Sequence, residues 1–159
     1  MNCTVITVRG EATLSTDCTS LQHSAVGSPN LQLIAPGEYR AYAIIPLSNK
    51  LVGYALAKIN EGGINVEITE VEIHQQYRHC GLCTVMISHL IAYCKAFHST
   101  SFTFTLMMCG GYSAFVCYVK AFKINGYSTY NKDTGQQLDL NSDTHLYQNQ
   151  WLQFEIKTN

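Results

Sequence analysis

The chain has 159 residues, 47% hydrophobic and only 13% charged, with a formal net charge of −1. That length carries one domain with a sizeable core, and that balance excludes a disordered chain. The absence of a basic run argues against nucleic-acid binding by phosphate neutralisation, no apolar run is long enough to cross a bilayer, and the start MNCTVITVRGEA lacks the parts of a signal peptide.

Cys3–Arg9 alternates and predicts a first strand. Gly10–Pro36 is polar and punctuated by Gly27, Pro29 and Pro36; a short helix within Thr13–Val26 is the one element it suggests. Tyr39–Pro46 predicts a second strand, Leu47–Asn49 a turn, and Lys50–Ile59 a third strand. Asn60–Gly63 is a turn signal, and Ile64–His74, rich in β-branched residues, is the fourth strand. Short connections between these runs predict an antiparallel meander.

Leu82, Val85, Met86, Leu90, Tyr93 and Phe97 recur at helical spacing and predict a helix over Leu82–Phe97. Ser101–Met108 is the fifth strand. The helix is then the crossover of a βαβ unit, and the fourth and fifth strands run parallel. Tyr112–Ile124 is a second helix, with Phe115, Val116, Val119 and Phe122 at helical spacing, ended by Asn125–Gly126. Tyr127–Asn131 is a sixth strand, KDTG a turn, and Leu146–Lys157 holds the last strand. The chain reads as a single domain over residues 1–159.

The stretch that organises the rest is the fourth strand, the polar loop Gln75–Gly81 and the first helix. A helix start has unpaired backbone N–H groups and the positive end of the helix dipole, so a loop coiling into it can hold a phosphate without a cationic side chain. Gly81 lets the backbone approach a ligand closely, and Thr84 offers a hydroxyl.

Cys80-Gly-Leu-Cys83 at the same helix start is also the spacing of a thiol redox pair, whose thiol the helix end would activate. No Pro follows Pro46 to supply the cis-Pro that faces such a pair in thioredoxin-like folds. His79 and His74 or His89 with the two cysteines crowd too closely for a tetrahedral zinc site, so no metal is expected. The seven cysteines are odd in number and scattered, which argues for a cytoplasmic protein with most thiols reduced and buried.

Arg78-His-Cys-Gly81-Leu-Cys83, preceded by Tyr77 and followed by Thr84, resembles the pyrophosphate loop Q/R-x-x-G-x-G/A of the GNAT superfamily of N-acetyltransferases. Leu51–Ile59 resembles that family's third strand, Val71–His74 the end of its fourth, and Ala114, Tyr118 and Gly126-Tyr127 its pattern around the last helix and strand. The similarity spans Glu38–Asn131. Three departures stand out: Cys83 replaces the second small residue, Gly111 replaces an Asn before the last helix, and Tyr118–Gly126 is about one turn longer than usual.

The resemblance implies an α/β (α+β) fold: a mixed, mostly antiparallel sheet of six to seven strands, splayed between the fourth and fifth and flanked by helices. It implies transfer of the acetyl group of acetyl-CoA directly to an amine of a small molecule or protein, with no covalent intermediate. Arg78, His79, Cys80, Gly81, Leu82, Cys83 and Thr84 would cradle the pyrophosphate. Val71, Glu72 and Ile73 would bind the pantetheine arm and polarise the thioester carbonyl, with Gly111 beside the cofactor.

Tyr118 is the family-type acid for the leaving thiolate. Glu67 fits the position of the base, ahead of Glu70 and Glu72. Alternation puts Glu67 on one sheet face and Glu70, Glu72 and His74 on the other, unless a bulge intervenes. Two other functions fit the same residues: a non-catalytic acyl-CoA-binding or interaction domain of this fold, and a thiol redox protein using Cys80 and Cys83. Trp151 and the last strand offer an interface for a second copy; a nucleic-acid or membrane partner is not expected.

Overall fold

The structure, a computed structural model, describes residues 4–9, 37–45, 50–59, 65–79, 81–97 and 103–156, the first of these segments as backbone only. The expected helix within Thr13–Val26, the turns at residues 47–49 and 60–63, and Cys80 lie outside the described residues.

The order of elements is β1 (Thr4–Arg9), β2 (Glu38–Ile45), β3 (Lys50–Ile59), β4 (Asn65–Ile73), α1 (Leu82–Phe97), β5 (Thr103–Met107), α2 (Tyr112–Ile124), β6 (Tyr127–Asn131), β7 (Gln137–Leu138) and β8 (Trp151–Ile156). They form one sheet in the order β1-β2-β3-β4-β5-β8-β6-β7. Seven strands make up its body, and the two-residue β7 trims one edge. β1 to β4 are an antiparallel meander, and α1 carries the chain over to β5, which lies parallel to β4.

The face of β2 and β3 beneath α1 is made of small residues apart from Tyr39. Ala41 pairs with Ala55, Ala43 with Gly53, and Tyr39 with Ala57. A Cβ on Gly53 would meet the Met86 sulfur at 3.5 Å and the Glu72 carbonyl at 3.3 Å, so the helix sits close against the sheet. Leu82, Met86, Ile87, Leu90, Ile91 and Cys94 form its buried stripe. Val85, expected inside on spacing alone, is 57% exposed, because it lies about 150° around the helix from the centre of that stripe.

α2 buries Phe115, Cys117, Tyr118, Val119, Ala121 and Phe122. Phe122 stacks on Phe154 of β8 at 3.7 Å and meets Phe104 of β5 edge-on at 5.0 Å. Gly126, with φ of +87°, ends the helix, while the Asn125 side-chain Nδ2 donates to Ser88 Oγ at 2.9 Å and to the Ala121 carbonyl at 2.8 Å. No helix among the described residues is long and apolar enough to cross a membrane.

Two irregularities in β4 matter most. Its register with β3 slips between Leu56 and Ala57: Leu56 pairs with Glu70 and Ala57 with Ile68, so Thr69 is the extra residue of a bulge. Lys58, Leu56 and Tyr54 share one face of β3, and their partners are Glu67, Glu70 and Glu72. Directly paired residues point the same way, so the three glutamates share a face. Strict alternation would have separated Glu67 from the other two; the bulge overrides it. The second irregularity is that pairing with β5 runs only from Asn65↔Thr103 to Ile68↔Leu106, after which the two strands part.

Candidate functional site

The parting of β4 and β5 opens a cleft of about 910 Å³, walled by the second half of β4, the loop into α1, the end of β5 and the cleft side of α2. One wall is the loop after β4. A single 3-10 turn, Gln75–Tyr77, leads to Arg78. His79 and Gly81 both adopt positive φ, +61° and +84°, and coil the chain into the first turn of α1. A glycine adopts that geometry without cost, and a Cβ on Gly81 would meet no protein atom within 4 Å. The space it would enter is the cleft, which Gly81 lines.

The first helical hydrogen bond of α1 runs from the Val85 amide to the Gly81 carbonyl at 3.2 Å. Within the described residues, the amides of His79, Gly81, Leu82 and Cys83 have no backbone acceptor, as is usual for the first amides of a helix. No acidic residue occupies the first turn. Free donors at the positive end of a helix dipole are the arrangement that can hold an anion.

Arg78 lines the cleft and is also tied to the end of β4. Its Nε donates to the Ile73 carbonyl at 2.8 Å and its guanidinium reaches Glu72 Oε1 at 3.2 Å. The ion pair is half exposed and contributes little by itself. The two bonds nevertheless fasten the loop to the end of β4, and the Ile73 carbonyl is occupied by the protein. Val71, Glu72 and Ile73 line the cleft beyond the point where β5 leaves β4, as do Leu82, Cys83, Thr84 and Gly111.

Among the carboxylates, Glu70 and Glu72 line the cleft and Glu67 does not. Glu67 lies where the sheet is closed, between Lys58 on β3 and Thr105 on β5. Glu70 Oε1 accepts a hydrogen bond from the Tyr54 hydroxyl at 2.6 Å. On the opposite wall is Tyr118, 8% exposed and lining the cleft. Burial pushes its phenol up to about 12, with the charge of the Cys109 thiolate adding to the effect.

The sulfur chemistry departs from the sequence reading. Cys83 is joined to Cys117 of α2, not poised as half of a Cys80–Cys83 pair. The thiols expected to be mostly reduced therefore include one cross-link, between the two helical walls of the cleft. Cys94 is free and buried, and Cys109 is free and exposed at the end of β5. Residues 83 and 117 are distant in sequence, and only the packing of α1 on α2 brings them together, so no local pattern announced the bond. Cys109 and Lys120 were likewise not singled out, yet both line the cleft. Among the described residues no group of three or more His, Cys, Asp and Glu side chains could hold a metal ion.

A family model for the acetyltransferase (GNAT) family matches residues 13–108. No curated protein matches the chain. Among solved structures, PaiA N-acetyltransferase from Thermoplasma acidophilum in complex with coenzyme A is similar with a TM-score of 0.50 at 11% identity, over 77% of this chain and 62% of that one. An acetyltransferase of the GNAT family from Staphylococcus aureus Mu50 is similar with a TM-score of 0.50 at 14% identity, over 76% of this chain and 69% of that one. At such identities the likeness is one of fold. The chain spans less than two thirds of the first of these structures.

Proposed function

Because the chain belongs to the acetyltransferase (GNAT) family, we propose that it transfers the acetyl group of acetyl-CoA directly to an amine. The observation that carries this reading is the set of amides at the start of α1 that have no backbone acceptor among the described residues, opening on a cleft that runs between two parting strands. The diphosphate of the cofactor is held by the main chain from His79 to Thr84. The pantetheine arm runs along the β4 edge from Glu70 to Ile73, where β5 no longer pairs. Main-chain donors of that edge polarise the thioester carbonyl as charge develops on its oxygen.

The attacking amine must be neutral. Glu70 is the base: it lines the cleft, and the Tyr54 hydroxyl orients its carboxylate. Glu67 is displaced from that role by its position in the closed part of the sheet, and Glu72 by its pairing with Arg78. The leaving thiolate takes a proton from Tyr118, whose raised pKa keeps the phenol protonated at neutral pH. No metal takes part in this scheme.

The test has two arms. Acetyl-CoA raises the melting temperature of the full chain, and a panel of primary amines, small molecules and peptides, yields acetylated product by mass spectrometry. Absence of a thermal shift at millimolar cofactor overturns the reading. A shift without turnover on any amine replaces it with that of an acyl-CoA-binding domain.

A further inference from the structure

The two helical walls of the cleft are joined by a covalent bond that the proposed transfer does not use. Cys83 lies in the first turn of α1, and Cys117 lies one residue before Tyr118 on α2. Both line the cleft, and their Cα atoms are 6.1 Å apart. The two ends of the bond are anchored unequally. Cys117 is buried, on a helix fixed by Phe115 stacked on Tyr147 at 3.8 Å and by Phe122 stacked on Phe154. Cys83 is only partly buried, in a turn where Gly81 and Val85 are exposed and Leu82 alone is buried. Arg78 fastens the loop to β4, but His79 and Gly81, both at positive φ, lie between that anchor and the turn. Helix ends held by so few contacts fray. The bond to α2 is therefore the main restraint that keeps the start of α1 in place across the cleft.

We propose that the Cys83–Cys117 bond is a redox switch on the cofactor site: closed, it presets the start of α1 for the diphosphate of acetyl-CoA, and reduced, it releases that turn and weakens binding. This rests on the acetyl-CoA reading above. The bonded form is the binding form, because the cleft already measures about 910 Å³ with the bond closed and no wall has to part to admit a ligand. The reductant is a dithiol, small or protein-borne. Its thiolate attacks the Cys83 sulfur, the more exposed of the two. The S–S bond breaks, and Cys117 leaves as a thiolate and takes a proton. The second thiol of the reductant attacks the mixed disulfide and releases Cys83 as a thiol. The protein gains two electrons and two protons, and the dithiol becomes a disulfide. Unbonded sulfurs separate to van der Waals contact. The packed α2 holds its place, so the first turn of α1 is the part that moves.

The experiment measures binding to the full chain by calorimetry, before and after reduction with dithiothreitol. The probe is desulfo-coenzyme A, which carries the diphosphate but neither a thiol nor a thioester to exchange with the reductant. Peptide mapping establishes the Cys83–Cys117 link, and near-ultraviolet circular dichroism follows folding. Reduction raises Kd roughly tenfold, an ordinary size for coupling between two sites. Cys117→Ser binds at the reduced level and ignores the reductant. Phe122→Ala, destabilised with its bond intact, binds like the oxidised protein. By reciprocity, saturating probe makes the bond roughly tenfold harder to reduce in a dithiothreitol redox buffer, about 30 mV for a two-electron couple.

Equal affinity in the oxidised and reduced forms overturns this inference and leaves the transferase reading standing. So does a Cys117→Ser protein that still responds to the reductant, which puts the switch elsewhere. A Phe122→Ala protein that binds as weakly as the reduced form makes the effect one of general stability and overturns it too. Loss of the near-ultraviolet signal on reduction makes the bond a staple of the fold and likewise overturns it. No binding in either form overturns both readings.

Discussion

Gly81→Ala separates backbone geometry from ligand binding. Gly81 has φ of +84°, and the added Cβ meets no protein atom within 4 Å. The folded protein therefore loses only what an L-residue loses in a left-handed conformation, about 1–2 kcal/mol. For a domain of this size that lowers the melting temperature by roughly 2–8 °C. The Cβ also projects into the space where the diphosphate would approach the helix start. In the unaltered chain, cofactor at a hundredfold excess over Kd adds about 2.7 kcal/mol of stability. A hundredfold loss of affinity cuts that increment, at the same cofactor concentration, to about 0.4 kcal/mol. Scanning fluorimetry with and without acetyl-CoA reads both effects. Gly135→Ala is the control, since Gly135 has φ of +75° and equally open space but lies in the turn after β6. It should cost the same backbone energy and keep the full cofactor increment. A Gly81→Ala protein that loses stability yet retains that increment would refute the location of the diphosphate.

Four further outcomes are expected. Tyr118→Phe lowers kcat roughly 100-fold with KM for acetyl-CoA unchanged; equal kcat removes its role as acid. The folded pKa of Tyr118 is raised, from 10.0 to about 12. Its contribution to stability is therefore complete below pH 10 and lost as pH rises through about 12. A phenolate absorbance difference between the protein and Tyr118→Phe that titrates at or below pH 10 would contradict this. The Cys83–Cys117 bond spans a sequence separation of 34, so its reduction, or Cys117→Ser, lowers stability by about 4 kcal/mol on a chain-entropy basis; denaturant unfolding with and without dithiothreitol measures it, and identical midpoints would show that the bond is not closed. Phe122→Ala removes a fully buried ring stacked on Phe154, and should cost about 3–5 kcal/mol by thermal unfolding with the cofactor response retained.

The boundaries of α1, α2, β3 and β6 follow from the sequence because each rests on short-range features. Apolar residues recur at helical spacing in Leu82–Phe97 and Tyr112–Ile124, and Gly126 supplies the positive φ that stops α2. The loop at residues 78–84 was legible for the same reason: a polar segment with a glycine between a β-branched run and an amphipathic helix has few other readings. Much less legible was which side chains meet. Val85 fitted the apolar spacing of α1, yet the sheet chose a stripe on the opposite side of the helix. The chain could not show whether Arg78 would face a phosphate or turn back to the Ile73 carbonyl.

The sequence by itself determined the order and type of the main elements from β2 to β6, and the glycine-bearing loop into α1, because hydrogen bonding within a helix and alternation along a strand are set by neighbours in the chain; the two-residue β7 carried no such signal. The tertiary structure alone decided that Thr69 bulges and swings Glu70 and Glu72 to the side of Glu67, that β5 leaves β4 after Ile68, and that Cys83 bonds to Cys117. Those are matters of register and of which surfaces pack together. A one-residue slip in pairing costs little locally but moves every side chain beyond it to the other face, so the energy that selects the register is spread over the whole sheet and its two helices.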